Sequence, residues 1–416
     1  MIINIIKNIF LIFLMSCFAF SGHIRSAGLT TLFEYSQEKQ VFYLNNNFKF
    51  LKNKKIGLII NHTSKVPINE LREYGFNSPI TTFDLFKNTD LNVVRIFSPE
   101  HGFSGQYAAG EEVPSTSDVV SLYGKDKSPR DEYLKDIDVL IFDIQDIGAR
   151  YYTYLSTMQL CMEKAAQNNV DFIVLDRPNP LGRKIEGAIL DLNYKSFVGM
   201  NPIPARHGMT AGEIAIFIKE NKLIKSAADL SLQVISGTNW DQDYSVGGRC
   251  KVEFEQTSPN IPSLEHALIY IGTCLLEGTN ISEGRGTDNP FKLFGAPWLD
   301  SEELIKALNQ FNFKDVDFIE KSFTPSSSKF KGEKCNGVQI EFSNLNIDAF
   351  KIGVTIINEI YKKHPDKFEF KDNFFDKLYG SSDLRLAISN GKSLDDLFNE
   401  IDIQNVDFSK KMVTIY

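Results

Sequence analysis

The chain is poor in the residues and spacings that metal and redox sites require. Its 416 residues include five cysteines, none in a C-x-x-C spacing, and six histidines, with no H-x-H or H-E-x-x-H spacing. These absences argue against a zinc knuckle, a redox dithiol and a helical zinc motif, and we predict no metal cofactor. We expect the cysteines that follow the N-terminal region to be buried free thiols; they are Cys161, Cys250, Cys274 and Cys335.

Clusters of positive charge and phosphate-binding glycine patterns are also missing. The formal net charge is -8 and no basic block occurs. This argues against a nucleic-acid partner, because phosphate binding needs clustered lysine and arginine. No G-x-x-x-x-G-K-[ST] motif occurs, and the turn after Val93–Phe97 lacks G-x-G-x-x-G. We therefore predict no nucleotide cofactor.

The apolar run near the N-terminus is too short to span a bilayer. It extends from Ile9 to Phe20 after Lys7, whereas a membrane helix needs about 20 apolar residues. Residues 1–25 are therefore predicted to be a signal peptide, and the protein to be exported to the periplasm or cell envelope. Leu14-Met15-Ser16-Cys17 resembles a lipoprotein cleavage box, which would anchor the chain through Cys17, whereas Ala19-Phe20-Ser21 suits ordinary cleavage; both routes stay open.

What the chain does have is one pattern that occurs four times in its first half. A short apolar run ends in a polar turn that carries acids, histidine or asparagine. Buried parallel strands have such continuous runs, and ligands of open α/β sheets bind beyond the carboxyl ends of the strands. With helix-like stretches such as Thr157–Asn168 between the runs, this predicts a Rossmann-like α/β fold with its active site at that edge. The runs and turns are Ile56–Ile60 with Asn61-His62-Thr63, Val93–Phe97 with Ser98-Pro99-Glu100-His101-Gly102, Val139–Phe142 with Asp143-Ile144-Gln145-Asp146, and Phe172–Leu175 with Asp176-Arg177-Pro178-Asn179.

The second half predicts a separate, smaller unit. The polar, glycine-rich passage Ser236–Gly248 suggests an interdomain connection, so we predict a catalytic domain over 26–245 and an α+β domain over 246–416 that completes the cleft. Glu277–Pro290 is too rich in small and charged residues to form a core, and it is predicted to be a long binding loop. Thr210 and Glu213 match a capping box, so Glu213 is interpreted as a helix cap rather than a catalyst.

Several long motifs resemble the family of NamZ-type exo-β-N-acetylmuramidases. The motifs are Ser98–Gly102, Phe142–Tyr154, Leu175–Gly182 and Glu277–Trp298 with its centre Ser282–Thr287, and the similarity extends from about Gly57 to Tyr416. The resemblance implies a secreted or cell-envelope hydrolase that removes N-acetylmuramic acid from the non-reducing ends of peptidoglycan fragments. It also implies a Rossmann-like catalytic domain and a smaller C-terminal domain with the cleft between them. In that family the glutamate that matches Glu100 is the proposed catalytic acid.

The residues themselves suggest how such a reaction proceeds. Glycoside hydrolysis needs a carboxylic acid for the leaving oxygen, and either a second carboxylate or a substrate group for the oxocarbenium-like centre. Glu100 ends a strand beside Pro99, where apolar neighbours favour the protonated form, and it is the predicted general acid, with His101 next to it. A turn glutamate bonded to His101 or to a backbone amide is the alternative. The candidates for the second carboxylate are Asp146, Asp143 and Glu283; the acetamido oxygen of the substrate is a further route.

Binding residues are predicted from the chemistry of muramic acid. Its lactyl carboxylate calls for a forked cation, and Arg150 and Arg285 lie in the richest motifs, with Arg206 close behind. The tyrosines after Arg150 would alternate in exposure if extended, and one or two of them could stack on a sugar ring. The other predicted substrate ligands are Tyr152, His207, Asn61, Asn260 and Glu283.

Two other classes of function fit parts of the sequence. A metal-dependent hydrolase would use His101, Asp143, Asp146 and His207 as ligands, since oxygen and imidazole donors at strand ends bind zinc or manganese. A non-catalytic, muropeptide-binding lipoprotein would use the cleavage box at Cys17 and the tyrosine run. The first predicts that a chelator abolishes activity, and the second predicts binding without turnover.

Overall fold

The computed structural model describes residues 27–107, 111–116, 119–237 and 254–416. The predicted signal peptide, Cys17, Cys250 and most of the predicted interdomain passage lie outside these residues, as does the predicted boundary at 245/246, so the domain division stays a prediction. Within the described ranges, no helix is both long and apolar enough to cross a membrane. The cysteines Cys161, Cys274 and Cys335 are buried and free, as predicted.

The chain alternates strands and helices in its first half and forms more helices in its second. The strands are β1 (Phe33–Ser36), β2 (Val41–Leu44), β3 (Ile56–Ile60), β4 (Val93–Ser98), β5 (Val119–Ser121), β6 (Val139–Asp143), β7 (Asp171–Leu175), β8 (Leu232–Ile235), β9 (Leu293–Ala296), β10 (Val316–Glu320) and β11 (Asn336–Phe342). The α-helices are α1 (Gly28–Leu32), α2 (Ile68–Glu73), α3 (Thr82–Asn88), α4 (Asp131–Leu134), α5 (Tyr154–Gln167), α6 (Ala211–Glu220), α7 (Leu264–Thr273), α8 (Ser301–Asn309), α9 (Ala349–Lys363), α10 (Asp372–Tyr379), α11 (Asp383–Ser389) and α12 (Asp395–Ser409). Short 3₁₀ helices span Asn46–Asn53, Leu192–Tyr194, Ala227–Asp229 and Cys274–Gly278.

A six-stranded parallel sheet organises the first half. Its strand order is β5-β4-β3-β6-β7-β8, so the chain winds outwards in both directions from the neighbours β3 and β6. The order reverses there, and the carboxyl ends at such a switch point form a ligand-binding crevice. The four apolar runs of the sequence are the four central strands, and every residue of β3 and β6 is buried. The predicted fold class is confirmed.

Helix boundaries follow local signals in the sequence. The predicted helix Thr157–Asn168 is α5, which begins three residues earlier. Helix α6 begins after Thr210, whose side chain accepts a hydrogen bond from the Glu213 amide, while the Glu213 carboxylate accepts one from the Thr210 amide at 2.9 Å. The capping box is confirmed. Glu213 also pairs with Arg183, so its carboxylate is fully committed to structure.

The second half packs helices against a three-stranded antiparallel sheet of order β10-β11-β9. The backbones of α7 and α9 are in direct contact at Gly272. A Cβ atom at this position would lie 1.9 Å from the Ala349 carbonyl oxygen, so only glycine fits there. The segment after α7 is irregular, as predicted, but Thr279 and Ile281 are fully buried. The expectation that this segment cannot contribute to a core was therefore wrong.

Asp176, directly after β7, is a buried carboxylate with a pH-dependent effect on stability. It accepts hydrogen bonds from the Gly212 amide and from the Thr210 and Tyr416 hydroxyls at 2.7–2.8 Å. Burial nevertheless raises its pKa to about 6. The folded state therefore keeps this proton to higher pH than the unfolded chain, whose aspartate titrates near 3.9.

We expect Asp176 to make the free energy of unfolding fall as the pH rises from about 4 to about 6. A pKa that is raised by roughly two units corresponds to a loss of about 3 kcal/mol in the free energy of unfolding between these two pH values. Replacing Asp176 with Asn should remove this contribution and flatten the pH dependence, measured by urea unfolding at several pH values. An unchanged slope between pH 4 and 6 in Asp176→Asn would contradict the assignment.

Candidate active site

A cavity of about 500 Å³ lies where the carboxyl edge of the sheet meets the helices of the second half. Its size falls within the range of small-molecule sites. The turn after β4, the segment between β6 and α5, helix α7 and the irregular segment after it all contribute to its wall. The charged and histidine side chains that line it are Glu100, His101, Lys127, Glu277, Glu283, Arg285, Lys329 and Lys371. The aromatic side chains are Tyr123, Tyr151, Tyr152, Phe197, Tyr270, Phe291 and Phe374.

Glu100 lies just after the carboxyl end of β4, and a hydroxyl group donates a hydrogen bond to its side chain. Its side chain is buried, and the Thr153 hydroxyl donates a hydrogen bond of 2.5 Å to its Oε2. The next residue, His101, has a φ of 70°, in the left-handed region that costs a non-glycine residue energy. Strained backbone of this kind persists only where the surroundings hold it, and it is common in active sites. The turn therefore fixes the direction of the Glu100 carboxylate.

His101 is a buried, neutral neighbour of Glu100. Its Nδ1 lies 2.7 Å from the Tyr107 carbonyl oxygen. Burial lowers the pKa of His101; Glu100 and this carbonyl oppose the shift, and Arg285 adds to it. His101 and Arg285 line the same cavity, so the strand-end turn and the segment that carries Arg285 meet there, as the sequence predicts.

The tyrosines after Arg150 form a buried turn and not an extended strand. Tyr151, Tyr152 and Tyr154 are all buried, and α5 begins at Tyr154, so the expected alternation of exposure was wrong. The hydroxyl of Tyr152 donates to Thr257 Oγ1 at 2.8 Å, and its ring centre lies 6.4 Å from that of Tyr270 on α7. Tyr152 is therefore a rigid part of the cavity wall.

Two acids and two cations that line the cavity form a linked group. Arg285 Nη2 donates to Glu277 Oε1 at 2.7 Å, and Arg285 Nε lies 3.2 Å from Glu283 Oε1. Lys329 Nζ lies 2.9 Å from Glu283 Oε2. Burial acts to lower the pKa of Arg285, but Glu277 and Glu283 outweigh it and raise it. Burial raises the pKa of Glu277, with Arg285 opposing the shift.

The structure places Arg150 outside the cavity. Its side chain is buried, and its two terminal nitrogens donate to the carbonyl oxygens of Ala188, Ile203, Leu378 and Tyr379. These carbonyls belong to two distant parts of the chain. The predicted contact of Arg150 with a lactyl carboxylate is corrected, because a guanidinium whose terminal donors are used by backbone oxygens has none for a substrate.

Four other predicted site residues also serve the protein interior. Asp143 is paired with Arg177 Nε at 2.6 Å and accepts from Thr82, which leaves it no role as the second carboxylate. Asp146 Oδ2 accepts from the Gly148 amide at 2.7 Å and lies 3.5 Å from Nε2 of His207, which is fully buried. Asn61 is buried, and its Oδ1 accepts from the amide and hydroxyl of Thr63. None of these four lines the cavity.

The four residues of the metal-site hypothesis do not converge. Asp146 and His207 face each other, but His101 bonds to a backbone carbonyl and Asp143 to Arg177. In the described ranges no group of three or more histidine, cysteine, aspartate or glutamate side chains is arranged to hold a metal ion. The other predicted site residues do line the cavity; they are Glu100, His101, Tyr152, Asn260, Glu283 and Arg285.

Sequence reasoning missed several side chains of the cavity. Glu277 and Thr153 lie inside motifs that carried the family resemblance, and that position was the only signal for them. Tyr270 lies on α7, where an aromatic residue is expected to belong to the core. Lys329 and Lys371 lie in segments without any motif, and only the folded chain brings them to the cavity.

Comparisons with known proteins give one consistent result. The family models described as exo-beta-N-acetylmuramidase NamZ match residues 56–265 with their N-terminal part and residues 268–416 with their C-terminal part. A peptidoglycan beta-N-acetylmuramidase NamZ from Bacillus subtilis (strain 168) is 42% identical over 374 residues, which cover 87% of this chain and 86% of that protein.

Solved structures agree with this result. A crystal structure of a DUF1343 family protein from Bacteroides fragilis NCTC 9343 superposes with a TM-score of 0.79 at 32% identity, covering 95% of this chain and all of that chain. A second DUF1343 protein from the same organism gives a TM-score of 0.69 at 30% identity and covers 94% of this chain and 97% of its own.

Proposed function

The chain belongs to the exo-β-N-acetylmuramidase NamZ family of glycosidases, and on that premise we propose that it removes N-acetylmuramic acid from the non-reducing ends of peptidoglycan fragments. The observation that carries the proposal is Glu100, a buried carboxylate oriented by Thr153 in a cavity lined with tyrosines and cations. In its protonated form Glu100 donates its proton to the glycosidic oxygen as the bond from this oxygen to the anomeric carbon breaks. Nearby His101 is neutral and adds no competing positive charge.

The direct test is hydrolysis by the purified protein. A muramyl-β-1,4-glucosaminyl disaccharide should yield free N-acetylmuramic acid, identified by mass spectrometry and NMR. Turnover above background excludes a purely binding lipoprotein, and activity that survives a strong chelator excludes the metal-dependent alternative. Absence of any release from muramyl glycosides would refute the proposed function.

We assign recognition of the lactyl carboxylate to Lys371 rather than to the other two cations on this part of the wall. Arg285 Nε and Nη2 already face Glu283 and Glu277, and Lys329 Nζ faces Glu283 and two carbonyl oxygens. Lys371 lines the cavity and forms no ion pair within the described residues. It is placed there because its amide donates to the Gly278 carbonyl at 2.7 Å, a close approach that a Cβ at Gly278 would block.

Replacing Lys371 with Met should weaken discrimination for the muramyl sugar. Losing one hydrogen bond to a charged group costs about 1.5–3 kcal/mol, so we expect kcat/KM for a muramyl glycoside to fall at least roughly 10-fold. The matching N-acetylglucosaminide, which has no lactyl group, should be unaffected in kcat/KM. Lys392→Met, at an exposed position outside the cavity, serves as the control. Equal loss on both substrates would contradict the assignment.

Export is part of the same proposal. The leader over 1–25 and the substrate both suit the cell envelope, and either ordinary cleavage or lipid attachment at Cys17 would deliver the chain there. The mass of the mature protein isolated from its own cell envelope distinguishes the two routes. A mature protein that retains residues 1–25 would contradict export by a cleaved signal.

A further inference from the structure

We infer that Glu277 is the second catalytic carboxylate, the group that holds and deprotonates the water which attacks the anomeric carbon. The inference rests on the proposed glycosidase function and assigns a residue to its hydrolytic step. Glu277 follows α7, within the 3₁₀ helix Cys274–Gly278.

The other acids are eliminated by their contacts. Asp143 and Asp146 lie outside the cavity in buried contacts of their own. Among the described residues, the carboxylates that line the cavity are Glu100, Glu277 and Glu283. Glu283 is 3% exposed and has a cation at each oxygen, Arg285 at Oε1 and Lys329 at Oε2. Its Oε2 is also shielded from solvent, so Glu283 is less suited than Glu277 to hold a water molecule of the cavity.

Glu277 has the contacts that a water-activating base needs. Arg285 holds its Oε1 at 2.7 Å, and no donor among the described residues contacts its Oε2. Its side chain is 20% exposed, and this residue lines the cavity. One oxygen is therefore anchored, while the other is available to accept a proton from a water molecule in the cavity. Burial raises the pKa of this carboxyl, which makes its ionised form a stronger base than an exposed glutamate.

The two carboxylates lie beside two neighbouring tyrosines. Glu100 acts electrostatically on Tyr152, and Glu277 acts on Tyr270, while burial is the larger cause of the raised pKa of both phenols. The two ring centres are 6.4 Å apart and the rings are perpendicular. Both acids and both tyrosines line the same cavity of about 500 Å³, and an inverting glycosidase needs its two carboxylates in one such space with a water molecule between one of them and the sugar.

The resulting step balances without a metal ion or a redox partner. A water oxygen forms a bond to the anomeric carbon on the face opposite the leaving group, and Glu277 takes one water proton. The bond to the glycosidic oxygen breaks, and Glu100 supplies the proton that this oxygen needs. The products are the α-anomer of N-acetylmuramic acid and a free hydroxyl on the leaving sugar. Exchange with solvent then removes the proton from Glu277 and returns one to Glu100.

The test combines the stereochemistry of the wild-type protein with variants of Glu277. NMR during turnover should show the α-anomer first. Glu277→Ala should reduce kcat by about 10²–10⁴-fold, the contribution of a positioned acid or base. Sodium azide should restore turnover of Glu277→Ala and give the α-glycosyl azide, because azide attacks without needing a base. An aryl leaving group should not restore it, since departure of the leaving group is not the impaired step.

The controls separate this inference from a folding role and from the proposed function. Glu265→Gln, an exposed acid on α7 that pairs with Lys292, should leave the rate unchanged. Failure of azide to restore Glu277→Ala, a near-wild-type rate in Glu277→Gln, or the β-anomer as first product would each overturn the inference while the wild type still released N-acetylmuramic acid. Only an inactive wild type would count against the proposed function.

Discussion

Replacing Glu100 with Gln lowers kcat for the release of N-acetylmuramic acid by about 10²–10⁴-fold, the range expected for loss of a general acid. Glutamine keeps the size of the side chain and can still accept the hydrogen bond from Thr153, so the fold and substrate binding should persist. The amide has no proton to give to the glycosidic oxygen. The loss should therefore appear in kcat, with KM for a muramyl disaccharide little changed, in steady-state assays with the purified variant.

The leaving group supplies the decisive comparison for Glu100. In an aryl glycoside of N-acetylmuramic acid, the aryl oxide departs without being protonated. Glu100→Gln should therefore recover much of its rate on this substrate, whereas Glu277→Ala should not. Glu132→Gln, at an exposed position on α4, is the matched control and should behave as wild type. A near-wild-type rate of Glu100→Gln on the disaccharide would remove Glu100 from the role of acid.

The parts of the fold that could be predicted were those with a local cause. The runs that became β3 and β6 are apolar throughout and fully buried, because both faces of the parallel sheet are covered at its centre. The Thr210 cap could be read from a spacing of three residues, because both of its hydrogen bonds close within one turn. Edge strands such as β8 are short and partly exposed, and no apolar run marks them.

A site residue could be predicted from the sequence only where its position relative to a strand determines where its side chain lies in the fold. Glu100 follows a central strand directly, and the sheet sends it to the carboxyl edge. Arg150 and Arg285 could not be distinguished in the sequence, since both lie in motifs rich in polar residues. The side chain of an arginine is long, however, and its partners need not be neighbours in the sequence. Which partner it meets depends on packing between distant segments: backbone carbonyls for Arg150, and Glu277 with Glu283 for Arg285.

The same reasoning explains why the structure favours Glu277 over Asp146 as the second acid. Asp146 was preferred because it follows β6 beside a glycine, where a turn often faces a ligand. In the folded chain its Oδ2 accepts a hydrogen bond from the Gly148 amide and lies 3.5 Å from His207 Nε2, and Asp146 does not line the cavity. Glu277 carried no local signal of its own, because its anchor Arg285 comes eight residues later and its place in the cavity depends on α7.

Arg150→Met should destabilise the protein while leaving its substrate preference intact. The guanidinium links four buried carbonyl oxygens, two of them in α10 and two between β7 and α6. Burial lowers the pKa of Arg150 to about 10, so removing the cation recovers part of the cost of burying it. The Ile203 carbonyl keeps the Leu190 amide as a donor, but the other three carbonyls lose the donor that Arg150 supplies, at about 1–3 kcal/mol each, and this outweighs the gain.

We therefore expect a net loss of about 3–5 kcal/mol in the free energy of unfolding, the range for breaking a buried charged contact from one side. With an unfolding entropy of about 2.1 cal/mol/K per residue, this lowers the melting temperature by about 5 °C. Arg130→Met, which removes an exposed arginine paired with Asp126, should leave the melting temperature unchanged. Below its transition, Arg150→Met should still prefer a muramyl glycoside over an N-acetylglucosaminide. A lost preference at an unchanged melting temperature would instead place Arg150 in contact with the substrate.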